Sequence, residues 1–166
     1  MAELNAKLPV VKIEASADFF RSGDFYVGAQ PDVETLQLLK SQGVTHIVNL
    51  RTEAEMKQLE TSGFNEEDTV KELGMSYCLL PVGGKDLPCP KTVEKFAEAI
   101  KDCRGKALVH CRSGGRATHL LMAHLVRGCG YTLTDAVTIG KQMMFGFMVE
   151  DFLGAPVSLT LKEAGK

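Results

Sequence analysis

The sequence contains no Cys-x-x-Cys pair, no run of basic residues and no apolar stretch near the ~20 residues that a membrane span requires. Each absence removes a class. Cys78, Cys89, Cys103, Cys111 and Cys129 are odd in number and unpaired in spacing, which argues against a disulfide scaffold and a zinc site. His46, His110, His119 and His124 show no ligand spacing, and the last two would splay around a helix. No metal and no cofactor are therefore expected. Nineteen basic residues against 21 acidic ones leave a net charge of −2, and aromatics are not interleaved with Lys or Arg, so no nucleic-acid surface is expected. With no membrane span and no signal-peptide h-region, the cysteine usage points to a reducing compartment, the cytoplasm; the periplasm is the alternative for a chain whose leader has been removed. A length of 166 residues suits one domain with its own core, and no feature sets an oligomeric state.

What is present centres on Val109-His110-Cys111-Arg112-Ser113-Gly114-Gly115-Arg116-Ala117-Thr118. The apolar run Lys106–Val109 before it reads as a buried strand. The stretch after it, Ala117 to Arg127, reads as a mostly apolar helix that stops at Gly128. A strand-to-helix turn gathers backbone N–H groups at the positive end of a helix dipole, where an anion binds. A cysteine in that field loses its proton far more readily than a free one, with pKa values of roughly 3.5–7.5 against about 8.5. Gly114 and Gly115 permit the tight turn, and Arg116 offers a planar fork that fits an oxyanion. Nucleophile and anion cradle are one object.

Along the chain, residues 1–22 read as an N-terminal arm or an edge strand, and residues 23–166 as the α/β domain proper. Strands are predicted at Asp24–Gly28, Val44–Leu50 and Met75–Leu80. Asp32 and Asn65 are predicted helix N-caps, and Gly43 and Gly74 the corresponding stops. A charged helix is expected after Arg51, and Lys91–Cys103 carries Val93, Phe96, Ala97 and Ile100 at helical spacing. Thr132–Asp135 resembles a capping box before a helix whose Met143 and Met144 read as core filler. One more short helix is expected after Glu150. Pro81–Pro90 is the one long Gly/Pro-rich loop, a common carrier of function on a rigid scaffold. Alternating strands and helices predict a single α/β domain with a mainly parallel central sheet flanked by helices. In such a fold ligands sit beyond the carboxyl ends of the strands, where Cys111 stands.

Gly28-Ala29-Gln30-Pro31, Val48-Asn49-Leu50-Arg51, Leu80-Pro81-Val82 and His110-Cys111-Arg112-Ser113-Gly114-Gly115-Arg116 occur in an order that resembles the cysteine-dependent phosphatases of the protein tyrosine and dual-specificity superfamily. The small bacterial branch labelled beta-lactamase-hydrolase-like is the most similar. The resemblance covers roughly Phe25 to Gly128. It implies a phosphatase-like fold and two-step phosphoryl transfer on a phosphorylated protein or small molecule. Cys111 would attack phosphorus, and Arg116 with the amides of Arg112, Ser113, Gly114 and Gly115 would hold the non-bridging oxygens. Asp86, the one acid in the Gly/Pro-rich loop, would protonate the leaving oxygen. Thr118 or Ser113 would support the leaving thiolate, and His110 would orient the loop.

One departure bears on the chemistry. The superfamily usually places five residues between cysteine and arginine, whereas Cys111 and Arg116 have four between them. Rhodanese-like sulfurtransferases, which carry a persulfide on the cysteine, share the shorter loop. They usually also carry an Asp-Val-Arg…Gly-His-Ile-Pro-Gly-Ala segment, which this chain does not have. A third class, a phosphate-binding module without turnover, would tolerate Cys111→Ser.

Overall fold

The computed structural model describes residues 9–146 and 148–156. A six-stranded sheet runs in the order β1-β2-β3-β6-β4-β5. Its strands are β1 (Val10–Ile13), β2 (Phe19–Ser22), β3 (Phe25–Gly28), β4 (Val44–Asn49), β5 (Ser76–Leu79) and β6 (Lys106–His110). The pairs β3–β6, β6–β4 and β4–β5 are parallel, while β1–β2 and β2–β3 are antiparallel. The sheet is thus mainly parallel, with residues 10–22 adding a hairpin along one side.

Parallel strands covered on both faces read as continuous apolar runs. Ala107, Leu108 and Val109 are all buried and alternate between two cores. Leu108 packs with Phe19, Tyr26, Leu36, Leu39, Ile47 and Val70, under helices α1 (Val33–Ser41) and α3 (Glu66–Glu72). Val109 packs with Val27, Val48, Phe96, Leu120 and Phe152, under α4 (Pro90–Ile100), α5 (Gly115–Gly128) and α7 (Val149–Leu153). A smaller cluster of Met122, Ala136, Val137 and Val149 joins α6 (Leu133–Gly140) to α5. The remaining helix, α2 (Glu53–Glu60), buries no residue fully and lies at the rim.

Caps fix where the helices begin. Asp32, Thr52, Asn65 and Thr132 each accept the N–H three residues on, and Thr52 with Glu55 forms a complete capping box. The α4 helix begins at Pro90, a residue suited to the first helical position, and ends before the expected Cys103. Helix α6 stops at Gly140, so Met143 and Met144 lie in the turn beyond it and not in the expected helix; Met143 packs on the core, and a Cβ added to Gly114 would lie 3.2 Å from Met144 Cγ. The short helix near Glu150 is present as α7. Among the described residues no helix is long and apolar enough to cross a membrane.

Strand register prepares the site. Gly28 and Asn49 both pair with His110, and Asn49 pairs with Leu79. The residues that follow these four strand ends, including Gln30, Arg51, Pro81 and Cys111, therefore emerge at one edge of the sheet.

Candidate active site

At that edge the chain bends through 112–114 and enters α5. Gly114 makes the turn at φ +97°, a left-handed conformation in which a side chain is strained. Cys111 is 1% exposed, and its Sγ accepts the Gly114 N–H at 3.1 Å. Its own N–H is held by the Gly28 carbonyl at 3.3 Å. Gly28 cannot carry a side chain here, because a Cβ would fall 2.2 Å from the Phe19 ring. Helix α5 has no side-chain cap. The N–H groups of a helix's first turn lack intrahelical acceptors, the arrangement that suits an anion.

Arg116 is fixed from the opposite side. Its Nη1 donates to Val82 O at 2.7 Å and Glu55 Oε2 at 2.9 Å, and its Nη2 donates to Glu55 Oε1 at 2.8 Å. A guanidinium has five N–H donors. The Nη1–Nη2 edge is occupied by Glu55 and Val82, which leaves the Nε–Nη2 edge as a second fork. Arg116 is held above its usual range, first by the Glu55 hydrogen bonds and also by the Cys111 sulfur. Reciprocally, Arg116 pulls the Glu55 carboxyl down to about 2.

Glu55 is itself braced. Its Oε2 accepts the Thr52 N–H at 2.8 Å, and Arg51 Nε lies 3.8 Å from its Oε1. Arg51 also reaches Gln30 Oε1 at 2.9 Å, while the Gln30 N–H donates to the Arg112 carbonyl at 3.3 Å. The loops after β3, β4 and β6 are thereby tied together. Glu55, Arg51 and Gln30 were not singled out as site residues by the sequence reading, although Thr52-x-x-Glu55 carries the capping-box spacing that marks Glu55.

Beside Arg116 opens a cleft of about 560 Å³, bounded by Thr52–Glu55 on one side and Gly83–Asp86 on the other. Asp86 is exposed there, at a turn closed by Gly83 N–H to Asp86 O at 2.7 Å and Asp86 N–H to Gly83 O at 3.0 Å. Arg112 and Ser113 are exposed at the loop, and Gly115 begins the helix. Thr118 differs from the others. It is fully buried, donates to Gly114 O at 3.0 Å and accepts the Met144 N–H at 3.4 Å. Its hydroxyl braces the turn from behind. Among the described residues no group of His, Cys, Asp or Glu is placed to hold a metal ion.

Residues 4–136 match the family described as DSP-PTPase phosphatase fused to NAD+ kinase. The chain belongs to this family. That description is of a dual-specificity-type phosphatase, which favours the phosphatase over the sulfurtransferase reading of the short loop. The beta-lactamase hydrolase-like protein of Xylella fastidiosa (strain Temecula1 / ATCC 700964) is 29% identical over 94 residues, 57% of this chain but 21% of the relative. The chain thus spans about a fifth of the length of that curated relative. Among solved structures, kinase associated phosphatase aligns with a TM-score of 0.63 at 16% identity, over 92% of this chain and 99% of that one. P. aeruginosa TpbA in complex with pTyr aligns with a TM-score of 0.61 at 15% identity, over 91% and 86% of the two chains. These likenesses establish the phosphatase-like fold.

Proposed function

We propose that this protein is a phosphatase that hydrolyses phosphate monoesters through a cysteinyl-phosphate intermediate on Cys111. The observation that carries the reading is the short contact between Cys111 Sγ and the Gly114 N–H, 3.1 Å, at the start of an uncapped helix. A sulfur so placed faces the same N–H groups that would hold a phosphoryl group's oxygens. The Nε–Nη2 edge of Arg116 supplies the remaining bidentate contact.

In the first step the Cys111 thiolate attacks phosphorus, an S–P bond forms, and the bond to the leaving oxygen breaks. Asp86 gives its proton to that oxygen. In the second step water attacks phosphorus, Asp86 takes the water's proton, and the S–P bond breaks to release inorganic phosphate and the thiolate. Backbone amides of Arg112 to Arg116 stabilise the charge on the equatorial oxygens in both steps. Thr118 keeps the turn in shape. The pTyr complex of TpbA supports a phosphotyrosine or dual-specificity type of substrate. The test is hydrolysis of p-nitrophenyl phosphate in the presence of a chelator. Activity in the parent and none in Cys111→Ser is expected; full activity in Cys111→Ser overturns the covalent route.

A further inference from the structure

Next to the nucleophile in the chain, a histidine and the glutamate it meets are completely enclosed. Glu66, from the first turn of α3, and His110, the last residue of β6, have fully buried side chains, and Glu66 Oε1 lies 2.6 Å from His110 Nε2. Neither atom has an aligned hydrogen-bond partner among the described residues. The other atoms of both groups are assigned. Glu66 Oε2 accepts an N–H from Asn49 at 2.8 Å, and Asn49 also donates to the Tyr77 hydroxyl at 3.0 Å. His110 Nδ1 sits 3.3 Å from the Cys111 carbonyl, which can only accept, so Nδ1 carries a proton.

That assignment leaves Nε2 bare in a neutral ring. A bare ring nitrogen and a carboxylate oxygen would then meet lone pair to lone pair at 2.6 Å, away from water, an arrangement with no compensation. One proton between them removes the conflict. The Asn49 N–H on Oε2 favours the carboxylate form of Glu66, which places the proton on the ring.

We propose that Glu66 and His110 form a buried ion pair, and that Glu66 is the positioning residue through which His110 holds Cys111. This rests on the reading of Cys111 as the nucleophile. A positive ring next to Cys111 adds to the field at the sulfur, and Nδ1–H fixes the Cys111 carbonyl and with it the start of the loop. Other charged or titratable groups around the pair and the loop are Tyr77 and Cys78 on β5, Glu67 on α3, Arg112 in the loop, Arg116 and His119 on α5, Glu55 and Arg51 at α2, and Asp86 across the cleft. Burial and the Glu66 charge push the Tyr77 hydroxyl up, so it remains a neutral acceptor for Asn49.

The experiment measures the rate of Cys111 alkylation by iodoacetamide as a function of pH, in the parent and in Glu66→Gln. The amide that replaces the carboxylate carries no negative charge, the ring becomes neutral, and the midpoint for Cys111 alkylation moves up as the positive charge beside it is lost. Hydrolysis of aryl phosphate in the variant falls on the order of tenfold or more in kcat, with KM little changed. An unmoved alkylation midpoint overturns the proposal. Should Glu66→Gln fail to fold, nitrogen NMR of the parent labelled at histidine decides: both ring nitrogens of His110 protonated at neutral pH supports the pair, and a bare Nε2 overturns it. Neither alkylation nor NMR needs turnover, so a parent that hydrolyses no phosphate ester would sink the phosphatase reading of Cys111 while leaving the ion pair to its own test.

Discussion

Glu55 grips both terminal nitrogens of Arg116, at 2.9 and 2.8 Å, and so decides which edge of that guanidinium faces the Cys111 loop. An arginine at the start of a helix has many rotamers, and a fork is useful only when it points at its oxyanion. Glu55 supplies that constraint from the first turn of α2, after β4.

Replacing Glu55 by Gln should therefore cost activity without dismantling the fold. Loss of orientation is expected to lower kcat/KM on the order of 10²-fold. Steady-state kinetics on an aryl phosphate, together with circular dichroism to show an intact fold, check it. Unchanged kcat/KM would show that Val82 O alone orients the arginine.

The same pair has a pH signature. The folded-state Glu55 carboxyl lies at about 2 against an ordinary 4.5, because Arg116 hydrogen-bonds its charged form. A carboxyl lowered on folding contributes stability that is complete above about 4.5 and disappears as the pH falls through about 2. Thermal melts between these limits should fall less steeply with acid in Glu55→Gln than in the parent. Equal slopes would mean that the pair does not survive in solution.

His124 gives the opposite case at milder pH. Its ring stands edge-on to Phe25 and Phe96, with centroids 5.7 and 5.1 Å away, and its Nδ1 has no hydrogen-bond partner among the described residues. Burial lowers its affinity for a proton below the usual 6.5. The unfolded chain then binds the proton more readily, so stability is undiminished above about 6.5 and falls as the pH drops below it. His124→Leu should flatten the decline in melting temperature between neutral and mildly acidic pH. A decline of the same slope in the variant would place the sensitivity elsewhere.

Asp86 is tested through the leaving group. Asp86→Asn should slow esters of weakly acidic alcohols far more than esters of acidic phenols, which depart without a proton. A uniform loss across a series of esters would reject the role of acid and leave Asp86 as a residue of the Gly83 turn. Thiosulfate and cyanide, mixed with the parent, are expected to yield no rapid thiocyanate.

Much of this architecture was legible in the residues. The run Ala107-Leu108-Val109 announced a strand buried on both faces, and Asp32, Asn65 and Thr132 announced helix starts that the structure confirms by hydrogen bond. The Cys111–Arg116 turn was legible for the same reason: its glycines and its strand-helix flanks are local. Glu55 and Glu66 were not singled out, because both act across distance in the chain, 61 residues in the case of Arg116 and Glu55. A glutamate in a first helical turn reads as an exposed dipole partner, and only tertiary packing shows that Glu66 is 1% exposed. Thr118 was read toward the thiolate through the resemblance, whereas its hydroxyl lies one turn back on Gly114 O.

The most direct measurement is chemical. Parent protein mixed with an aryl phosphate, quenched in acid within the first turnover and digested, should yield the Cys111 peptide carrying one phosphoryl group, and Cys111→Ser should yield none. Turnover of the ester with no phosphoryl group ever found on Cys111, or with the group on another residue, would contradict the account.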